Sequence, residues 1–204
     1  MKDLNIAVSY LKKADSVLGS LIEKLGIVDY RSEKDIFESL VFSIIGQQLS
    51  GKAAETIYNR FQNLFLNQKF TPDQILKLDP AQIRAVGTSW AKVASLQDLS
   101  QKVLDGTVDL IALPGLSDQE IIDHLVQVKG IGPWSAQMRL MFSFHRPDIF
   151  PLDDVGIQNA LVKHYGLNRK HKNMKQKMLK IARNWRPYRT VACWYLWASL
   201  DNRP

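Results

Sequence analysis

The chain of 204 residues contains a single cysteine, Cys193. A lone thiol cannot close a disulfide within the chain, and it excludes any four-cysteine zinc or iron–sulfur site built from this sequence. Set in an apolar run, Cys193 reads as a reduced core residue. Apolar stretches long enough to span a bilayer are missing too. The N-terminal MKDLNIAVSYLKKAD alternates charged and apolar residues at helical spacing, where a secretory leader would have an unbroken apolar centre. The chain is therefore expected to be intracellular, neither secreted nor membrane-bound. Strand signals are scarce, and no linker rich in Ser, Gly or Pro divides the sequence.

What is abundant is positive charge on a foldable background. Lys and Arg number 27 against 20 Asp and Glu, a formal net charge of +7, while 46% of residues are hydrophobic. Disorder is excluded by that apolar content. The basic excess favours polyanions, of which nucleic acid is the commonest soluble example, with solubility alone as the other reading. The run from Arg169 to Lys177 is strongly basic, and it reads either as the wet face of a helix or as a phosphate contact.

Helix starts recur along the chain. Thr71-Pro72-Asp73-Gln74, Asp79-Pro80-Ala81-Gln82 and Ser117-Asp118-Gln119-Glu120 all have the form of a capping box, two of them with proline where its missing N–H costs nothing. Apolar residues fall at helical spacing over Ile36, Phe37, Leu40, Val41, Ile44 and Ile45, and again over Val93, Leu96, Leu99 and Val103. The pattern predicts an all-α protein of roughly ten short helices. The light stretch from Asp105 to Ser117 suggests two helical lobes of one domain with a cleft between them, residues 30–110 forming one and residues 1–29 with 111–204 the other.

The segment VQVKGIGPWSA, residues 126–136, carries the sharpest signal. Gly130 and Gly132 around Ile131 allow a helix to end near Val128, turn tightly and restart at Pro133. Unpaired amides from Lys129 to Gly132, at the N-terminus of the second helix, would form a phosphate site. Carbonyls of Val128 and Ile131 on the other side of the turn could hold a monovalent cation. An ordinary helical hairpin that needs glycine for steric reasons is the plainer alternative. Further on, Asp153 and Asp154 precede the pattern Val155, Ile157, Leu161, Val162, so one carboxylate is expected to cap a helix and the other to be spare for chemistry.

These segments also carry a resemblance. LVQVKGIGPWSAQMRLMFSF followed by IFPLDDVGIQ resembles the helix-hairpin-helix, Gly/Pro-rich loop and aspartate signature of the DNA glycosylase superfamily. SIIGQQLSGKAAETI at 43–57 and WRPYRTVACWYLWASL at 185–200 are similar to its alkylated-purine branch, the 3-methyladenine DNA glycosylase II proteins, in a compact form without their extra N-terminal β domain. The resemblance implies an all-α helix-hairpin-helix glycosylase fold and a double-stranded DNA partner that contains alkylated bases. It implies that Gln47, Gln48 and Leu49 enter the minor groove, with Gln48 or Leu49 as the wedge that fills the gap left by a flipped nucleotide. Lys129, Gly130, Ile131 and Gly132 would hold the DNA backbone.

Asp154 would be the catalytic carboxylate, with Asp153 as its capping or structural partner, and an interchange of the two roles is the alternative. Trp134, Met138, Val155 and Trp197 would line the base pocket, while Trp194 and Tyr195 belong to the core. Related enzymes that also nick the strand carry a lysine where this chain has Trp134, so base release without lyase activity is implied. No cofactor is implied beyond a structural Na+ or K+ at the hairpin. The expected state is a monomer, in the cytoplasm with the nucleoid in a bacterium or in the nucleus of a eukaryote. The rivals are a non-catalytic DNA-binding protein with the same hairpin, a structural all-α adaptor whose charge is incidental, and a glycosylase for oxidised or mismatched bases.

Overall fold

The computed structural model describes residues 4–31 and 35–200, and among these twelve α-helices and two short 3-10 turns are present, with no strand. In chain order the helices are α1 (Leu4–Ala14), α2 (Ser16–Leu25), α3 (Ile36–Gly46), α4 (Gly51–Gln62), α5 (Pro72–Lys77), α6 (Pro80–Ala85), α7 (Trp90–Leu104), α8 (Asp118–Leu125), α9 (Pro133–Phe142), α10 (Val155–Tyr165), α11 (Met174–Arg183) and α12 (Arg189–Ala198). All three capping boxes form, at the starts of α5, α6 and α8. The all-α expectation holds. None of these helices is long and apolar enough to cross a membrane.

By contact the chain divides into two compact units, Met1–Ser32 with Leu140–Pro204, and Glu33–Arg139. The division differs from the lobes expected from sequence, because residues 111–139 go with the preceding helices. The reason lies on α7. Its Lys102 ammonium donates to the Gln127 carbonyl at 2.8 Å, and its Asp98 carboxylate accepts from the Lys129 amide at 2.7 Å, so α7 fastens the hairpin segment to its own unit.

In the first unit, Leu11, Leu18, Trp185, Trp194 and Tyr195 are fully enclosed, and the placement of Trp194 and Tyr195 in the core agrees with the sequence reading. One carboxylate organises this core. Asp15 caps α2 by accepting from the Leu18 amide at 3.0 Å, and its other oxygen accepts from the Tyr165 hydroxyl and the Trp185 indole, both at 2.9 Å. Burial, then the adjacent Asp15 charge, pushes the Tyr165 phenol well above its ordinary range. The basic run is split by the start of α11: Met174 and Met178 are buried, while Lys175 and Lys177 lie on the wet face.

In the second unit, Leu40, Ile44 and Ile45 of α3, Phe61 of α4, Ile75 of α5, Ile83 of α6 and Leu96 of α7 are all fully buried. This apolar assembly sets the ends of α3, α4 and α7, from which the functional turns project.

Candidate active site and nucleic-acid interface

The segment that leads to Asp154 is anchored from α12. The Thr190 hydroxyl donates to the Arg146 carbonyl at 2.6 Å and accepts from the Ile149 amide at 3.1 Å, while Arg189 chelates Asp148. Asp154 then caps α10 itself: its Oδ1 accepts from the Ile157 amide at 2.7 Å. This corrects the assignment of the cap to Asp153. That side chain is 73% exposed and pairs with Lys175 at 2.5 Å, because α11 presents a lysine to it from outside. One carboxylate therefore both caps the helix and stands as the candidate for chemistry.

Asp154 is buried, at 7% exposure, and the same Oδ1 accepts a second hydrogen bond, from the Trp197 indole at 2.9 Å. Trp197 thus has a second task beyond the pocket wall expected of it, and its ring also lies against Phe142 at 5.8 Å. Sequence reading missed Gly156. A Cβ there would come within 2.8 Å of Trp197 Cδ1, 2.9 Å of its Nε1 and 3.0 Å of Asp154 Oδ1, so only glycine lets the indole close over the carboxylate. Val155 follows the aspartate, exposed at the mouth of α10.

The second unit carries the remaining candidates. After α3 the chain turns through Gln47, Gln48 and Leu49 before Ser50 caps α4. Gln48 has a φ of +59°, a left-handed conformation that costs a side-chain residue about 1–2 kcal/mol, and both Gln48 and Leu49 are exposed at the tip. The Gln47 side-chain amide donates to the Gly130 carbonyl at 2.8 Å and ties this turn to the hairpin. From α7, the Lys92 ammonium donates to the carbonyls of Ile45 and Gln47, both at 2.8 Å, satisfying orphan groups at the C-terminus of α3. Burial lowers the Lys92 pKa from its ordinary value.

The hairpin between α8 and α9 restarts at Pro133 as expected. Two of its amides are not free for phosphate. That of Lys129 is taken by Asp98, and that of Ile131 donates to the Val128 carbonyl at 3.0 Å, which closes the turn. Burial raises the Asp98 carboxyl, but the Lys102 ammonium and the Lys129 amide outweigh it and hold the group below the usual carboxylate range. The amides of Gly130 and Gly132 make no hydrogen bond among the described residues. The Val128 carbonyl keeps a second lone pair, so with Ile131 it offers the hard oxygen donors that a monovalent cation takes.

The two glycines have different reasons. Gly130 sits at φ +82°, and a Cβ would meet Ser95 Oγ at 2.6 Å, so the fold itself demands glycine. Around Gly132 a Cβ would meet nothing within 4 Å, so the fold itself does not demand glycine there. Gly130→Ala is expected to destabilise the protein by at least about 1–2 kcal/mol, from backbone strain alone. Gly132→Ala is expected to leave the melting temperature unchanged and to weaken duplex binding in a fluorescence titration. Equal behaviour of the two variants in both assays would refute this division.

Beside the turn of Gln47, Gln48 and Leu49 lies a cavity of about 490 Å³ lined by Phe42, Gln48, Trp134, Met138 and Arg139, among others. Trp134 is 47% exposed there and Met138 is buried. The cavity is within one unit, and it gathers two of the four residues expected to line a base pocket. Asp154, Val155 and Trp197 are on the other unit.

Known proteins are similar to this chain. The YfjP protein of Bacillus subtilis is 35% identical over 181 residues, which span 86% of this chain and 61% of that protein's length. DNA-3-methyladenine glycosylase 1 of Schizosaccharomyces pombe is 38% identical over 170 residues, covering 82% of this chain and 73% of the relative. The solved structure of a 3-methyladenine DNA glycosylase, Mag1 of Schizosaccharomyces pombe, in complex with abasic DNA superposes with a TM-score of 0.84 at 33% identity, over 97% of this chain and 98% of that one. Residues 41–187 match the description of the HhH-GPD superfamily of base excision DNA repair proteins, and the chain belongs to that superfamily.

Proposed function

We propose that this protein is a monofunctional DNA glycosylase that extrudes alkylated purines, of the 3-methyladenine and 7-methylguanine type, from duplex DNA and hydrolyses the N-glycosidic bond. The observation that carries the reading is Asp154, a carboxylate held at the start of α10 by both a backbone amide and an indole, in a chain similar to DNA-3-methyladenine glycosylases of known structure.

The chemistry follows from the substrate. Methylation at N3 or N7 makes a purine cationic, so it departs without a general acid and leaves positive charge on the sugar. As the C1′–N bond breaks, its electron pair goes to the base. The Asp154 carboxylate stabilises the oxocarbenium character and orients the water whose oxygen bonds to C1′ and whose proton is lost. Gln48 and Leu49 fill the emptied stack from the exposed tip of the wedge turn, at an extrusion cost of a few kcal/mol. The amides of Gly130 and Gly132 hold a phosphate of the damaged strand, and a Na+ or K+ on the carbonyls of Val128 and Ile131 would add positive charge to the same phosphate. Trp134 and Met138 take the base, the indole face attracting a cationic ring. Trp197 steadies the carboxylate, and Val155 borders it.

An indole cannot form a Schiff base, so the product is an intact abasic site. The partner is double-stranded DNA and the working form a monomer, located wherever the genome is: with the nucleoid in a bacterium, in the nucleus of a eukaryote. The test incubates the protein with duplex DNA treated with a methylating agent and scores free methylpurines and, separately, strand breaks before alkali. Base release without breaks is expected. Breaks that keep pace with release would contradict the assignment of Trp134, and the absence of release would leave only a DNA-binding role.

A further inference from the structure

We propose that Arg139 broadens the base preference of the pocket, drawing it toward neutral purines that present acceptor atoms and against the pull that Trp134 exerts on purines made cationic by methylation. The inference rests on the reading of Trp134 and Met138 as the base-binding wall. Arg139 follows Met138 on α9 and lines the same cavity. Its Nη1 donates to the Ser39 carbonyl at 3.1 Å. Its Nε is buried and makes no hydrogen bond among the described residues, and neither does the adjoining Ser39 hydroxyl.

No carboxylate among the described residues pairs with this guanidinium. Burial alone pulls its pKa down to about 10, with no neighbouring charge contributing, so near neutrality this residue of the cavity lining is a cation without a counterion among the described residues. Removing a cation from water without a partner is strongly unfavourable. A tie between α9 and α3 would not require it, since the amide of a glutamine also donates to a carbonyl. A guanidinium beside a ligand cavity is instead suited to an acceptor edge. Unmodified N3 and N7 and the O6 carbonyl of a purine are such acceptors. A base methylated at N3 or N7 has lost one of them and carries a like charge.

The leaving step favours the same class. When the C1′–N9 bond of a neutral purine breaks, the departing electron pair makes the base an anion until it gains a proton from solvent, and a nearby guanidinium stabilises that anion. A cationic base leaves neutral and gains nothing from it. Arg139 thus opposes the attraction that Trp134 exerts on cationic rings, and the balance between the two sets the range of bases accepted.

The test measures single-turnover release from two duplex oligonucleotides, one with a single hypoxanthine (neutral, with O6 and N7 acceptors) and one with a single 7-methylguanine (cationic). Wild type is compared with Arg139→Met and Arg139→Gln; the glutamine variant keeps a donor for the Ser39 carbonyl and serves if the methionine variant does not fold. Loss of the charge is expected to raise the ratio of 7-methylguanine to hypoxanthine release by about tenfold or more, a cost consistent with a unit charge a few ångströms away at intermediate dielectric. A ratio that does not rise in Arg139→Gln, whether both rates fall together or neither changes, overturns the inference while the glycosylase assignment stands. Release of neither base by the wild type overturns the glycosylase assignment, and this inference with it.

Discussion

Asp154→Asn is expected to lower the rate of methylpurine release by about 10²–10⁴-fold, the range associated with loss of a positioned acid–base group. Asp154 holds the Ile157 amide and the Trp197 indole through a single oxygen, and both are donors. An asparagine carbonyl can accept these two hydrogen bonds, and asparagine caps helices about as well as aspartate, so the cap itself should change by no more than about 0.5 kcal/mol. What disappears is the charge. Duplex affinity should be kept or slightly raised, because one negative group facing phosphates is gone. Single-turnover release, thermal denaturation and a salt-dependent binding titration check the three parts together. A variant that folds, binds duplex and still releases base at more than a tenth of the wild-type rate would remove Asp154 from the chemistry. Asp153→Asn supplies the contrast: its exposed carboxylate pairs with Lys175 at the surface, so its release rate should match wild type.

The contrast shows what could be read from sequence and what could not. Local signals were legible, since a capping box or an apolar stripe needs only residues within one turn of each other; α3, α5, α6, α8 and the restart of α9 at Pro133 all followed. Asp153 and Asp154 were a different case, because either could cap the same helix by local criteria. The choice is made by Trp197, 43 residues away in sequence, whose indole reaches Asp154 Oδ1. The hairpin failed in part for the same reason. Its glycines predicted outward amides, yet two of its amides are engaged, one of them by Asp98, 31 residues away. Lys92, Ser95, Asp98 and Lys102 form a polar stripe on α7 beside its apolar one, and this stripe holds the wedge turn, the packing against Gly130 and the hairpin. Its helical spacing was visible in sequence, but polar residues at such spacing usually face water, and nothing local distinguishes a stripe that instead meets orphan carbonyls and amides.

Gly156→Ala tests the least visible part of the site, and its effect should be large for a change of one methyl group. On propensity alone, alanine in place of glycine within a helix stabilises by about 1 kcal/mol. Here the added carbon would sit 2.8 and 2.9 Å from two atoms of the Trp197 ring and 3.0 Å from Asp154 Oδ1, closer than carbon tolerates at the ring. The backbone of α10 is held by its cap, so the indole must give way, and with it the hydrogen bond that orients the carboxylate. Misplacement of a reacting group by about 1 Å can cost roughly 10²-fold in rate. That loss is expected in the rate of the bound complex, with duplex affinity little altered, because the wedge turn and the hairpin are on the other unit. Trp197→Phe should lose the same hydrogen bond without the clash. If both changes act through the orientation of Asp154, the double variant will be no slower than the worse single one, a departure from additivity that distinguishes a shared cause from two independent injuries. Wild-type release by Gly156→Ala would mean that the indole can shift without consequence, and Trp197 would revert to a pocket wall alone.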